Sequence, residues 1–222
     1  MHYITLFKAH QYFSKDSDAY DYDYDFYRKR FEWSNFGTYT AKDIREQAFR
    51  FLNKWGCRFT STDKLASSVK TAYLYHLTAI STLNSEKIQD VDFKSTKNIY
   101  TSNLAIGDLI FQIFAGFCNI RSRFRWVVTS KLLHMINPNI FVMWDNGIAD
   151  GYNLKLNEID YTYKFLPKMK EEVNEVISTY MQENMCNRPS AIDEIRKQNS
   201  QRTPAKLIDE YNFEYTKGRK DL

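Results

Sequence analysis

Apolar residues recur along most of this chain at intervals of three and four, the spacing of a helix with one buried face. The first clear run follows Thr40, where Ile44, Ala48, Phe51, Leu52 and Trp55 share a face. Thr40 with Asp43 three residues on has the form of a capping box, and Gly56 stands where a C-terminal cap belongs. Leu65, Val69, Ala72, Tyr73, His76 and Ile80 predict a second helix over 65–83, with His76 on its buried side. The polar stretch 85–101 predicts an exposed connection. Leu104 to Cys118 is the most hydrophobic segment and predicts a buried helix, too short to cross a bilayer and interrupted by Asp108 and Gln112.

Trp126 to Ile136 returns to helical spacing, and Asn137-Pro138 ends it, because a residue before proline is pushed out of the α region. Ile140 to Trp144 is short and wholly apolar, a buried connection. Asp145 then predicts the N-cap of the next helix, accepting the backbone N–H of Gly147 or Ile148. Lys131 and His134 fall on neighbouring turns of one helix, and Asp145 heads the following one. Leu166, Met169, Val173, Val176, Ile177 and Tyr180 mark an amphipathic helix within 164–184. The polar stretch 187–201 is a linker or short helix, and Thr203-Pro204 opens a last helix carrying Leu207, Ile208 and Tyr211. Only 7 glycines and 4 prolines, with no clear runs of period-two alternation between paired turn signals, predict an all-α protein of helices joined by short loops. It divides into an aromatic N-terminal extension packed on the core (1–40), a helical core (41–186) and a C-terminal helical segment (187–222).

Composition changes this picture in three places. A length of 222 residues is enough to bury a core without covalent staples. Cys57, Cys118 and Cys186 are odd in number, far apart and in no metal-ligand spacing, which suggests reduced thiols in a cytoplasmic protein. His2 to His10 lacks the apolar core of a signal peptide. Near the start, Asp18, Asp21, Asp23 and Asp25 alternate with Tyr20, Tyr22 and Tyr24. Clustered carboxylates suit hard cations, as a metal-dependent phosphate-ester enzyme would need, but no glycine allows a tight calcium loop. The segment therefore reads as a solvated acidic turn, and no metal site is expected. No glycine-rich nucleotide loop is present, so no cofactor is expected.

Charge is more informative in its distribution than in its total. The net charge is +4, yet Leu109 to Trp144 contains no Asp or Glu while carrying Arg121, Arg123, Arg125 and Lys131. A local acid-free basic window points to nucleic acid, with the three arginines as the grip on its backbone. The first carboxylate beyond the window is Asp145.

Thr129-Ser130-Lys131-Leu132-Leu133, the Asn137-Pro138 break and the apolar approach to Asp145 resemble the core of helix-hairpin-helix DNA glycosylases of the 8-oxoguanine glycosylase type. The likeness covers roughly residues 100–155. It implies a helix-hairpin-helix-glycosylase-like fold and excision of a damaged or modified base from DNA. It also implies Lys131 as nucleophile on the sugar C1′ and Asp145 as the carboxylate that supports the sugar cation. Trp126 and Trp144 would flank the extruded base, and His134 would lie on the DNA side. The family's Leu-Pro-Gly-x-Gly hairpin is degenerate here, since Arg123-Phe124-Arg125-Trp126 occupies its place without glycine or proline. The 14-residue spacing from Lys131 to Asp145 is also shorter than that family's usual one. The expected partner is DNA, and the expected state a monomer. The alternative is a non-catalytic helical module that keeps the scaffold and binds nucleic acid or protein. An enzyme needs Lys131 and Asp145 in one pocket; a binder needs only a basic face.

Overall fold

The computed structural model describes residues 1–16, 18–99, 102–120, 125–219 and 222. It is mostly helical, as the apolar spacing predicts. Helix α1 (Tyr3–Asp16) buries Leu6, Ala9, His10 and Phe13, one stripe at helical spacing. Helix α2 (Asp18–Arg30) replaces the expected acidic turn. Period-two alternation of Asp and Tyr masks the 3.6-residue stripe beneath it: Tyr24, Tyr27 and Phe31 are buried, at spacings of three and four. Three of the carboxylates are engaged in ion pairs, and Asp23 is buried. Asp21 and Asp25 pair with Arg202, and Asp23 with Lys54 at 2.6 Å.

Residues 41–54 form one helical rod made of α3 (Ala41–Ile44), a π turn (Arg45–Phe49) and α4 (Arg50–Lys54). The Thr40–Asp43 capping box is present in both directions. Gly56, with φ of +80°, reverses the chain as anticipated. The π turn inserts one residue per turn, so Phe49 joins Ile44, Ala48, Phe51 and Leu52 in the core. Beyond Thr62, another N-cap, the expected single helix breaks at His76 into α5 (Asp63–Tyr75) and α6 (Leu77–Thr82). There the imidazole lies against Gly116, leaving no space for a Cβ.

The connection 85–101 is less exposed than its polarity suggests. Ile88 and Val91 are buried, and the Ile88 N–H donates to the Asn139 carbonyl at 2.8 Å. It also holds a strand the sequence did not announce. Strands β1 (Thr96–Ile99) and β2 (Ser102–Ala105) pair antiparallel, Thr96 opposite Ala105 and Ile99 opposite Ser102. Four-residue strands with mostly polar faces carry too little alternation to register as a pattern.

Helix α7 (Ile106–Cys118) is the buried apolar helix, followed by α8 (Trp126–Ile136), the wholly buried segment 140–144 and α9 (Asn146–Gly151). After α10 (Glu158–Asp160) and a π turn, α11 (Leu166–Asn184) buries the six apolar positions assigned to it. Helix α12 (Arg188–Gln198) occupies the polar stretch, and α13 (Pro204–Thr216) follows its Thr203 cap. No helix among the described residues is long and apolar enough to cross a membrane.

The largest departure is α13. The sequence gives it a single apolar face, but Ala205 to Glu210 are all buried, Lys206, Asp209 and Glu210 included. It packs on α1, α9 and α11; Lys206 pairs with Asp209 and Glu210 on the same helix, and Glu210 also meets His10 of α1.

Candidate active-site cleft

One serine sets the register of the two segments that carry the expected chemistry. Ser130, buried on α8, accepts the Trp144 N–H at 3.0 Å, and its Oγ lies 3.1 Å from the Trp144 carbonyl. Losing so buried a contact would cost about 1–3 kcal/mol. Lys131 follows Ser130 and Asp145 follows Trp144, so the same clamp fixes both positions relative to each other. Asp145 is half-buried and caps α9 through Oδ1, which accepts the Ile148 N–H at 2.9 Å.

Lys131 and Asp145 line one cleft of about 430 Å³. That is within the range of roughly 300–1,000 Å³ typical of ligand sites. Five aromatic residues, Phe13, Tyr20, Trp55, Trp144 and Phe213, form part of its walls. The Lys131 ammonium donates to the Trp55 carbonyl at 2.8 Å and lies 5.8 Å from the Trp55 ring centre. It makes no ion pair among the described residues.

Behind the aromatic wall lies a second lysine in a different condition. Lys206 has no exposed surface, and its ammonium is 4.4 Å from the Phe13 ring centre and 4.9 Å from those of Tyr24 and Trp55. It pairs with Asp209 at 2.9 Å and Glu210 at 3.4 Å. Burial disfavours its charge, but the two carboxylates outweigh that and raise its pKa. Glu210 also accepts from His10 Nδ1 at 2.7 Å. Arg202 stacks on Tyr24 at 4.9 Å and binds Asp21 and Asp25. Asp209 belongs to both regions, because it pairs with Lys206 and also lines the cleft.

Of the other expected site residues, Trp144 lines the cleft but is completely buried, stacked on Phe165 at 5.3 Å with nearly parallel planes. It is a fixed wall. Trp126 is half-buried outside the cleft lining, with the exposed Arg125 guanidinium 5.3 Å from its ring centre. Arg121 and Arg123 lie outside the described residues. His134 departs most from expectation. It was placed on a helix surface facing DNA; it is fully buried. Nδ1 is 2.6 Å from the Phe141 carbonyl, which can only accept, so Nδ1 carries the proton. Nε2, 3.0 Å away, then accepts from the Tyr24 hydroxyl. Burial holds the His134 pKa well below its ordinary value. Both ring nitrogens are engaged within the protein, so His134 ties α8 to α2 and the 140–144 segment.

Sequence reasoning did not find Ser130, Trp55 or Asp209 as parts of the cleft. A hydroxyl inside an apolar run was the available signal for Ser130. Lys206, Asp209 and Glu210 are spaced three and four apart, and nothing local distinguishes a buried set of such pairs from an exposed one. Among the described residues no group of three or more His, Cys, Asp or Glu side chains could hold a metal ion. No family model, curated protein or solved structure matches the chain, which leaves the cleft's own geometry as the ground for its function.

Proposed function

We propose that the protein is a DNA glycosylase that receives an extruded base in this cleft and cuts its bond to the sugar. The observation that carries the proposal is that Lys131 and Asp145 line the same aromatic-walled cavity. An amine attacks only as its free base. Lys131 therefore passes a proton to Asp145 through solvent in the cleft, and Nζ forms a bond to C1′ as the C1′–base bond breaks. The electron pair leaves with the base, which takes the proton back from Asp145. The carboxylate, ionised again, supports the positive charge on the sugar–lysine adduct. Ring opening gives an iminium that water hydrolyses, releasing Lys131. The aromatic walls supply flat faces for the base, and extrusion costs a few kcal/mol of unstacking, least at a damaged or mispaired site.

The test is incubation of purified protein with a panel of duplexes, each carrying one modified base, scored for alkali-sensitive strand breaks. The expected result is breaks on one substrate, lost in Lys131→Gln and in Asp145→Asn, with borohydride trapping a covalent adduct in wild type only. Silence across the panel, with tight and salt-sensitive DNA binding, would assign the scaffold to binding and reject catalysis.

A further inference from the structure

A basic hollow lies outside the cleft. Along α2 and the rod 41–54 run two adjoining hollows that share Arg30, Glu46, Gln47, Arg50 and Lys54. The larger, about 720 Å³, adds Arg45. Four cations face two carboxylates there, Glu46 and Asp23. Lys54 is held by Asp23, and Arg45 leans on Asp63 at 3.3 Å and Glu46 at 3.5 Å. Arg30 and Arg50 are both exposed and have no ion pair among the described residues; Arg30 lies 5.2 Å from the Phe26 ring centre. These two guanidiniums are free for an outside anion.

Placement says which anion. The helices α2 and 41–54 run antiparallel: Tyr20 and Tyr24 face Trp55, and Tyr27 faces Phe51. One end of this pair, at Tyr20 and Trp55, lines the cleft; moving away from it, the same pair lines the hollows. From Tyr20 to Arg30 the rise of a helix gives about 15 Å. Successive base pairs of a duplex advance about 3.4 Å, so this is about four steps of DNA. A duplex with one base turned into the cleft would carry its backbone phosphates along this pair.

We infer that the Arg30–Arg50 hollow is a second DNA contact, which binds the phosphodiester backbone about four base pairs from the base held in the cleft. Guanidinium forks match phosphate oxygens in pairs, and they read charge and spacing without base identity. The inference rests on the proposed glycosylase reading for its register, and its test separates the two.

Binding of undamaged duplex is measured by fluorescence anisotropy across a salt series for wild type, Arg30→Gln/Arg50→Gln, and a control losing the same charge elsewhere, Lys94→Gln/Lys168→Gln. Removing two phosphate contacts should flatten the slope of log affinity against log salt by about 1.8 and weaken binding by tens of fold at ~0.1 M salt. The control should keep the wild-type slope. With stable short duplexes that carry one modified base two base pairs from one end or the other, wild type and the arginine variant should converge for one of the two ends. The melting temperature checks folding, and both arginines are exposed, so no change is expected. Strand breakage at saturating protein is read in parallel. An unchanged slope in the arginine variant, or no convergence on short duplexes, overturns the hollow and leaves the glycosylase intact. The flattened slope with no breakage on any substrate retains the hollow and removes the glycosylase. Absence of DNA binding by wild type overturns both.

Discussion

Two lysines lie against the same tryptophan ring and have opposite surroundings. Lys206 is sealed behind Trp55 among three aromatic rings and is neutralised by Asp209 and Glu210. Lys131 sits at the open side, holding a carbonyl rather than a carboxylate. A buried ammonium between two carboxylates is locked as a cation and serves the fold. The ammonium in the open cleft has only a carbonyl acceptor and no carboxylate partner among the described residues. The two lysines therefore differ in the kind of partner as much as in burial.

The sharpest break of this comparison is Lys206→Met. It removes the cation and leaves two buried carboxylates, which should cost about 3–5 kcal/mol in denaturant unfolding. A loss below ~1 kcal/mol would mean that the network is not what holds α13. The mirror experiment is Lys131→Gln. Its stability loss should stay within about 0.5–1.5 kcal/mol, one hydrogen bond, while excision falls at least ~100-fold. Equal stability losses in the two variants would erase the distinction.

Asp145→Ser separates capping from charge. Serine is as good an N-cap as aspartate, so stability should change by less than about 0.5 kcal/mol. Excision should drop by ~100-fold or more, because the carboxylate is gone. Retained activity would show that Asp145 is a cap and nothing further.

Two pH experiments probe smaller effects on the structural side. His134 is held neutral by burial, so its folded pKa lies below its unfolded one. Its contribution to stability is full above about pH 6.5 and declines on acidification, by at most ~1.4 kcal/mol per pH unit. Its imidazole resonances should not titrate between pH 7.5 and 6; if they do, the buried tautomer is wrong. Asp160 accepts the Lys155 N–H at 2.8 Å and pairs with Lys164 at 2.7 Å, which lower its pKa. That contribution is present above the ordinary carboxylate value and is lost as pH falls through the lowered one. Asp160→Asn should thus flatten the acid limb of the stability profile below about pH 4. An unchanged limb would assign acid sensitivity elsewhere.

Much of this was legible because it is local. Caps at Thr40, Asp145 and Thr203, the glycine turn at Gly56 and the proline break after Ile136 depend on neighbours three or four residues away. They sit where the letters put them. The pairing of Lys131 with Asp145 in one cleft is an expectation that the glycosylase resemblance supplies; locally only Asp145 has a helix landmark, as the cap of α9. What the letters withheld was long-range. Arg202 meets Asp21 and Asp25 across most of the chain, and His134 meets Tyr24 across 110 residues. Such partners turn polar residues into core residues, and a local window sees only the polarity. Helix α2 shows the same limit in miniature, since its aspartates look solvated until the cation that binds them is known.

The distance along the chain between His10 and Glu210, 200 residues, has a consequence in time. During synthesis at roughly 5–20 residues per second, about 10–40 s separate the two. For most of that interval Asp21, Asp25 and His10 have emerged while their partners Arg202 and Glu210 do not yet exist. The aromatic wall of the cleft is equally unfinished, since Phe213 and Asp209 arrive with the same helix. A nascent chain can thus complete its local caps early, while the lining of the cleft is complete only once α13 has been made.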